Sequence, residues 1–390
     1  MKMRFYLLAA IVAALPLCSQ AQPLSSPDPL LASQIVDRYA EHIFYGSAAA
    51  GMALVAIDGN QRVFASFGET RPGNATRPQK DSLIRIASLS KLMTSEIMVK
   101  MAEQGKIRLD DPLANYAPPG MRVPSYGGQP IQLIHLSTHT SGLPREQPGG
   151  KAGRPVFVWP TKAERWRWLQ RAPLTTPPGV RAAYSNLAYD LLADALARAA
   201  GKPWPELFRQ FIARPLGMKD TTFTPSADQC KRLMVPERGA SPCTSTLAAI
   251  GSGGVYSTPD DMGRWMQQFL NSDVNVRTPQ TDRLQTLIYQ RSQLSKIEGM
   301  DVPGKAEALG MGWVYIAPAD GHPGIIQKTG GGGGFITYMA MVPQHNVGVF
   351  VVVTRTNLTR FRAMSDGVHD LLAALVANKT GAPLLVQAMQ

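Results

Sequence analysis

Charge, cysteine and long apolar runs are all scarce in this sequence. Charged residues occupy 17% of the 390 positions, below the roughly 25% of an average soluble chain. Apolar residues make up 44%, and the 35 glycines and 31 prolines are scattered rather than repeated. This composition excludes a disordered chain, a collagen and a coiled coil. The length suffices for a domain with a substantial hydrophobic core.

A long apolar run lies at the start of the chain, at positions 5–17, after the basic residues Lys2 and Arg4. At about 1.5 Å per residue this run is too short to span about 30 Å of hydrocarbon. It leads into Ser19-Gln20-Ala21, which is typical of a signal cleavage site. We therefore expect 1–21 to be a cleavable signal peptide and 22–390 to be the exported chain.

The sequence contains three cysteines. Cys18 lies in the signal segment and allows a lipoprotein as an alternative, although the bulky Leu17 precedes it where a small residue is expected. In an oxidising compartment the remaining pair, Cys230 and Cys243, favours a disulfide, with two free thiols as the alternative. No histidine lies near this pair, and its spacing matches no zinc pattern.

Basic residues exceed acidic ones by 40 to 28, which gives a net charge of +12. Such an excess favours an anionic partner. Because export separates the chain from nucleic acid, we expect no nucleic acid and instead cell-wall polymer or phospholipid nearby. Trp159, Trp166 and Trp168 alternate with basic residues, including Arg165. This stretch indicates either peripheral contact with the inner membrane or glycan strands, or a solvated helix with aromatic packing.

Hydrophobic periodicity predicts strands at both ends of the chain and helices between them. The predicted strands are 51–57, 61–67, 312–316, 325–329, 336–342 and 347–354, with a hairpin at Asp58-Gly59-Asn60. The predicted helices are 31–44, 88–104, 162–171, 185–200, 206–213 and 361–377. This order predicts an α/β fold, in which both chain ends (about 31–105 and 300–390) build one antiparallel sheet flanked by helices and a mainly helical region (about 106–299) is inserted.

Common motifs for other chemistries are missing. No Gly-x-Ser-x-Gly elbow is present, so an α/β-hydrolase serine site is not supported. His135 and His139 stand four apart, but no acidic residue separates them and no third ligand is evident, which favours structural roles. The glycine run 330–334 lacks the Lys-Ser/Thr ending of a phosphate loop. We expect neither a metal nor a cofactor.

A candidate nucleophile occurs at Ser88-Leu89-Ser90-Lys91, where the strong helical pattern begins. Residues three apart share a helix face, so the Lys91 amine can reach the Ser88 hydroxyl. A helix N-terminus stabilises negative charge on oxygen and disfavours protonated lysine. Both effects suit a serine nucleophile activated by an amine base. Taken alone, however, the motif is equally compatible with a purely structural role for these residues in the helix.

Two further motifs follow along the chain. Tyr184-Ser185-Asn186 opens a predicted helix, where Asn186 can serve as a cap. Lys328-Thr329-Gly330 ends a predicted strand and leads into the glycine run. A cation and a hydroxyl at a strand edge suit a carboxylate, and absent side chains allow a peptide to lie against the backbone.

The three motifs in this order resemble those of the penicillin-recognising serine hydrolases, which comprise serine β-lactamases, penicillin-binding proteins and DD-peptidases. Tyrosine in the second motif resembles the class C branch, as does the segment 131–143. The resemblance runs through the whole mature chain and departs at none of the three motifs. It implies a β-lactamase/DD-peptidase-like fold, which agrees with the strand and helix order predicted above.

Carried over to this sequence, the resemblance implies that Ser88 is acylated and that Lys91 and Tyr184 move its proton. Which of these two is the general base stays open, because the basicity of each depends on the charge of the other. The resemblance also implies that the backbone N–H groups of Ser88 and Gly331 form an oxyanion hole.

The resemblance further implies that Asn186 binds the substrate amide, while Lys328 and Thr329 hold its terminal carboxylate beside Gly330. It implies a DD-peptidase that removes terminal D-Ala from peptidoglycan pentapeptides and cleaves D-Ala-diaminopimelate cross-links. Muropeptides would be substrates, and β-lactams would be covalent inhibitors that are hydrolysed weakly. The alternatives are a class C-type β-lactamase as the main role, a serine esterase of the same fold, or a non-catalytic binding protein. Lys328 counts against the esterase, because a neutral ester offers it no carboxylate.

Overall fold

The computed structural model describes residues 30–150, 153–270 and 279–382. The expected signal segment 1–21, and with it Cys18, lies outside the described residues. Among those that are described, no helix is long and apolar enough to cross a membrane.

The strands and helices follow the predicted order. The strands are β1 (Gly51–Asp58), β2 (Gln61–Gly68), β3 (Ile84–Arg85), β4 (Ser125–Tyr126), β5 (Gln129–Pro130), β6 (Ala182–Ala183), β7 (Tyr256–Ser257), β8 (Leu287–Gln290), β9 (Ile297–Glu298), β10 (Ala308–Gly310), β11 (Val314–Ile316), β12 (Ile325–Gly332), β13 (Phe335–Val342) and β14 (Val347–Thr354). The α-helices are α1 (Ala32–Ser47), α2 (Ser90–Glu103), α3 (Leu133–Ser137), α4 (Lys162–Leu169), α5 (Asn186–Ala200), α6 (Trp204–Phe208), α7 (Ala227–Lys231), α8 (Pro259–Gln267), α9 (Pro279–Leu284) and α10 (Phe361–Thr380).

One eight-stranded antiparallel sheet organises the fold, in the spatial order β2-β1-β14-β13-β12-β11-β10-β8. The strands from the two chain ends meet where β1 pairs with β14, with Gly51 opposite Thr354. The predicted sheet from both termini is therefore confirmed. β8 is an addition to it, because this strand at the far edge comes from the segment 106–299 that was predicted to be helical. It has four residues and β10 has three, too few for a period of two to be detected.

Both faces of the sheet are covered, which explains why the central strands are apolar throughout. Side chains alternate between the two faces of a strand. In β14, Val349 and Val351 face the layer formed by α1 and α10. Phe350 and Val352 face the opposite core, which includes residues of α2, α5 and α8. The β14 strand is buried at every position.

The basic and aromatic stretch 159–171 is partly built into the core. Arg165 and Trp166 are buried on α4. Both donate to Asp194 of α5, with Arg165 Nε and Trp166 Nε1 at 2.6 and 3.0 Å from its Oδ2. These two side chains are therefore unavailable to a membrane surface. Burial of Trp166 agrees with the expected aromatic packing, whereas the expectation of a solvated side chain is wrong for Arg165. The charge pattern wrongly predicted an exposed Arg165, because its partner Asp194 is distant in sequence.

Cys230 of α7 and Cys243 form a disulfide across a sequence separation of 13 residues. We predict that the double variant Cys230→Ser/Cys243→Ser loses about 2–3 kcal/mol of unfolding free energy, because a short cross-linked loop restricts the unfolded chain. Turnover well below the melting temperature should change little, since neither cysteine belongs to the three motifs. Denaturant unfolding of the variant and of reduced wild type measures the loss. Two titratable thiols in native, unreduced protein would contradict the pairing.

Candidate active site

Ser88 lies on a 3-10 turn, Ala87–Leu89, immediately before α2. The sequence predicted that the helix itself begins at Ser88, but the α-helix begins at Ser90. Ala87 adopts a positive φ of 48°, a conformation that costs free energy in a residue other than glycine. Ser90 is buried and its hydroxyl donates to the Ala87 carbonyl at 2.7 Å. Of the two serines in the motif, Ser88 is therefore the one presented to the site.

Two proton-carrying groups contact the Ser88 hydroxyl. Tyr184 OH lies 2.6 Å from Ser88 Oγ, and Lys91 Nζ lies 3.2 Å from the same atom. Lys91 is three residues further along the turn and helix, whereas Tyr184 arrives from the segment between β6 and α5. The first two motifs thus meet at one oxygen atom.

Lys91 is fully buried and has three acceptors. Besides Ser88 Oγ, its Nζ donates to Asn186 Oδ1 and to the Ser252 carbonyl, each at 2.6 Å. Burial lowers the pKa of Lys91 to about 7, against the opposing influence of the Asp190 and Glu146 carboxylates. A substantial fraction of neutral amine is therefore present at neutral pH.

Asp190 supports this arrangement from behind, and the sequence analysis missed it. Its Oδ1 accepts from the backbone N–H groups of Gly251 and Ser252, both at 2.9 Å, and its Oδ2 accepts from Ser252 Oγ at 3.0 Å. These bonds hold Ser252, the residue whose carbonyl accepts from Lys91. Burial raises the pKa of Asp190. The available signal was its position four residues after Asn186, on the same face of α5.

The Tyr184 ring lies among cations and a histidine. His139 stacks on it with ring centroids 4.5 Å apart. The Lys91 and Lys328 nitrogens lie 4.8 and 5.0 Å from the ring centroid, and the Arg145 guanidinium carbon lies 4.7 Å from it. Burial, reinforced by these cations, holds the pKa of His139 well below its ordinary value. A neutral His139 therefore supports the ring, with its Nδ1 accepting from Ser185 N at 3.0 Å.

Asn186 does not cap α5 as the sequence suggested. Ser185 is the N-cap, and its Oγ accepts from Ala188 N at 3.0 Å. This frees the Asn186 side chain to reach into the site. Its Oδ1 accepts from Lys91, and its Nδ2 donates to Glu146 Oε1.

The third motif brings β12 against the turn of Ser88. A Cβ atom on Gly330 would lie 2.8 Å from the Ile86 carbonyl oxygen and 3.1 Å from Ser88 N, so only glycine permits this approach. Lys328 is buried behind Tyr184, and burial lowers its pKa to about 8. Thr329 follows it on the strand and is half-buried. Beyond Gln327, β12 pairs with β13 but not with β11, which leaves a free strand edge beside Ser88.

The glycine run is not the bare edge that the sequence suggested. A Cβ atom on Gly332 would lie 2.5 Å from the Phe157 ring, and one on Gly333 would lie 2.8 Å from Arg85 Cδ. Gly334 is similarly close to Pro236. Gly331 alone of the five would place a Cβ atom with no neighbour nearer than 3.8 Å. The run therefore serves mainly to let neighbouring segments pack onto the strand.

Two other observations concern a second copy of the third motif and the possibility of a metal site. A second Lys-Thr-Gly occurs at the end of α10, but there Lys379 pairs with Asp58 at 2.6 Å and does not join the site. Within the described ranges, no group of three or more His, Cys, Asp or Glu side chains is arranged to hold a metal ion. The geometry assembles a chain of hydrogen bonds that runs from the Tyr184 phenol through the Ser88 hydroxyl and the Lys91 amine to the Asn186 amide. These are the parts required for acyl transfer through a serine.

Comparison with known proteins identifies close relatives. The chain is 67% identical over 387 residues to the D-alanyl-D-alanine-carboxypeptidase/endopeptidase AmpH of Escherichia coli strain K12, covering 99% of each. It is also similar, at 66% identity and a TM-score of 0.87, to a solved β-lactamase/D-alanine carboxypeptidase from Yersinia pestis complexed with citrate. That match covers 89% of this chain and 99% of the other.

More distant similarity extends to class C enzymes. A class C β-lactamase from Rhodobacter sphaeroides shares the fold at 21% identity and a TM-score of 0.71, covering 88% of this chain and all of the other. The expected fold is therefore confirmed. The model of the Beta-lactamase family matches residues 34–374. With that match and a relative two-thirds identical over almost its whole length, the chain belongs to the β-lactamase family.

Proposed function

We propose that this chain is a periplasmic serine DD-peptidase that remodels peptidoglycan through an acyl-enzyme on Ser88. The observation that carries the proposal is the contact of Ser88 Oγ with both Tyr184 OH and Lys91 Nζ, at 2.6 and 3.2 Å. The relative from Escherichia coli, which is named as a D-alanyl-D-alanine carboxypeptidase/endopeptidase, supports this activity at 67% identity.

The first half of the reaction is acylation. Ser88 Oγ attacks the carbonyl carbon of the penultimate D-Ala and transfers its proton to Lys91 or Tyr184. The backbone N–H groups of Ser88 and Gly331 stabilise the oxyanion, each contributing about 3 kcal/mol in comparable sites. The C–N bond then breaks, the leaving amine takes the proton, and the D-Ala carbonyl remains esterified to Ser88.

The second half releases the acyl group. A water molecule gives a proton to the same base and attacks the ester carbonyl. Ser88 Oγ leaves and recovers a proton, which frees the shortened peptide. A neutral Lys91 amine is suited to accept the proton in both halves, either directly or by way of Tyr184, because burial keeps its pKa at about 7.

Substrate selection rests on the free edge of β12 and on Asn186. An extended peptide can lie along this edge and hydrogen-bond its backbone, while Asn186 Nδ2 donates to the carbonyl of the preceding amide. Lys328 and Thr329 then hold the carboxylate of the leaving residue. Terminal D-Ala and a cross-linked diaminopimelate both leave as an amine beside a carboxylate on a D-configured carbon. One site can therefore carry out both cleavages.

The proposed cellular location is supported by the sequence. The segment 1–21 supports export, and we assign 22–390 to one catalytic unit that works on peptidoglycan in the periplasm. The net charge of +12 suits anionic wall polymer or phospholipid as a neighbour. Peripheral attachment to the inner membrane would depend on exposed basic residues other than the buried Arg165.

The central test is Ser88→Ala. We expect it to abolish covalent labelling by penicillin, release of D-Ala from disaccharide pentapeptide and cleavage of cross-linked dimers, all read by mass spectrometry. Ser90→Ala is the comparison within the motif and should still be labelled at Ser88, but more slowly, because it removes the hydrogen bond to the Ala87 carbonyl. Loss of one cleavage without the other would contradict a single site. Rapid turnover of penicillin with untouched muropeptides would favour the β-lactamase alternative.

A pH profile tests the role of Lys91. The acylation rate should rise with pH through about 7, because only the neutral Lys91 amine accepts a proton. It should fall again above about 8, where Lys328 loses the charge that is proposed to bind the carboxylate. Asp190→Asn should move this midpoint to lower pH, because the Asp190 carboxylate raises the pKa of Lys91. Asp228→Asn, at an exposed position on α7, is the control. A midpoint that moves upward, or stays in place, would argue against Lys91 as the titrating base.

Lys328→Ala tests recognition of the carboxylate. Loss of a charge-assisted hydrogen bond worth about 1.5–3 kcal/mol should lower kcat/KM for D-Ala release roughly 10- to 150-fold. Hydrolysis of a small neutral ester should fall much less, since the ester presents no carboxylate. Thr329→Val, which keeps the cation, is the comparison. Equal losses on both substrates would show that Lys328 acts in the chemistry instead.

A further inference from the structure

Glu146 is a charged side chain at the site to which neither the motifs nor the mechanism assign a role. It is exposed, and its Oε1 accepts from Asn186 Nδ2. No lysine or arginine in the described part of the chain forms an ion pair with it. Its carboxylate is nonetheless close enough to Lys91 to raise the pKa of that amine.

The other charges around this carboxylate are mostly positive. Lys91 and Lys328 are buried beside Tyr184. Arg145 precedes Glu146 in the chain, and its guanidinium carbon lies 4.7 Å from the centroid of the Tyr184 ring. Asp190 is buried behind Ser252 and already accepts three hydrogen bonds. Glu146 is therefore an exposed anionic group at the Asn186 side of the site.

The hydrogen bonds give the direction in which substrate would extend. They run outward from Ser88 through Lys91 and Asn186 to Glu146. The Asn186 amide has two N–H donors, and Glu146 uses one of them. If the second donates to the carbonyl that precedes the acylated residue, the next side chain of the substrate reaches the Glu146 carboxylate.

We infer that Glu146 is a specificity-determining residue that binds an ammonium group on the substrate residue preceding the acylated D-Ala. The substrate class is a peptide with a diamino acid at this position, such as lysine or diaminopimelate with a free side-chain amine. This inference rests on the proposed function, since it requires acylation of Ser88 by a peptide. An exposed carboxylate and an ammonium group form a charge-assisted hydrogen bond that salt weakens.

A merely structural role is the competing explanation. Glu146 would then only orient Asn186, and its loss would slow every substrate to the same extent. An ammonium-binding role instead predicts losses that depend on the charge of the substrate side chain. The two explanations therefore differ in the ratio of rates between matched peptides, not in the absolute rate.

Three peptides test the inference: Nα-acetyl-Lys-D-Ala-D-Ala with the ε-amine free, acetylated or succinylated. D-Ala release by wild type at low salt should favour the free amine over the acetylated peptide roughly 3- to 10-fold in kcat/KM. Glu146→Gln should remove this preference. Glu146→Lys should reverse it in favour of the succinylated peptide. Glu41→Gln, on α1 and exposed, should behave as wild type.

The outcomes separate the inference from the proposed function. Equal loss on all three peptides in Glu146→Gln, or an unchanged preference, would overturn the inference while D-Ala release still supports the DD-peptidase. A wild-type enzyme that releases no D-Ala from any of the peptides or from disaccharide pentapeptide, although Ser88 is labelled by penicillin, would remove the proposed function and the inference with it. Loss of the preference in high salt would support an ionic contact.

Discussion

Burial of the Lys91 amine is the constraint on which the rest of the site depends. A lysine removed from water is strongly disfavoured in its charged form unless acceptors surround it. Here the acceptors come from three separate parts of the chain: Ser88 on the turn before α2, Asn186 at the start of α5 and the Ser252 carbonyl. The hydrogen bonds that stabilise this one buried nitrogen therefore align the proposed nucleophile, Ser88, with the amide group of Asn186 that is proposed to bind substrate.

This arrangement needs close approach between distant segments, which the fold supplies. The turn of Ser88 and the strand β12 are separated by more than two hundred residues. They nonetheless lie so close that a Cβ atom added to Gly330 would be 3.1 Å from Ser88 N. The sheet permits this contact because strands from both chain ends pair within it. The inserted helices then deliver Tyr184, Asn186 and Asp190 from one short stretch around the start of α5.

The parts of this structure that local patterns encode could be predicted from the sequence. The hairpin around Gly59, the long strands and the spacing of Ser88 and Lys91 all rest on contacts between near neighbours. Residues recruited by tertiary contact left no such signal. Ser252 enters through a carbonyl that any residue type could provide, and Arg165 finds Asp194 only because α4 packs on α5. His139 was assigned a structural role, and the structure adds that its ring supports Tyr184.

The two buried lysines beside Tyr184 differ in basicity in the way that their proposed roles require. Burial lowers the pKa of Lys91 to about 7 and that of Lys328 to about 8. Between these values Lys91 is mainly neutral and Lys328 mainly charged, which matches a base and a carboxylate-binding cation. The Lys91 ammonium also lowers the pKa of Lys328. When Lys91 loses its proton, the pKa of Lys328 therefore rises and Lys328 keeps its proton more firmly. A substrate carboxylate on Lys328 would stabilise that ammonium further. Coulomb repulsion between the two amines therefore favours a neutral Lys91 beside a charged Lys328, which is the state that the proposed base and the proposed carboxylate-binding cation require.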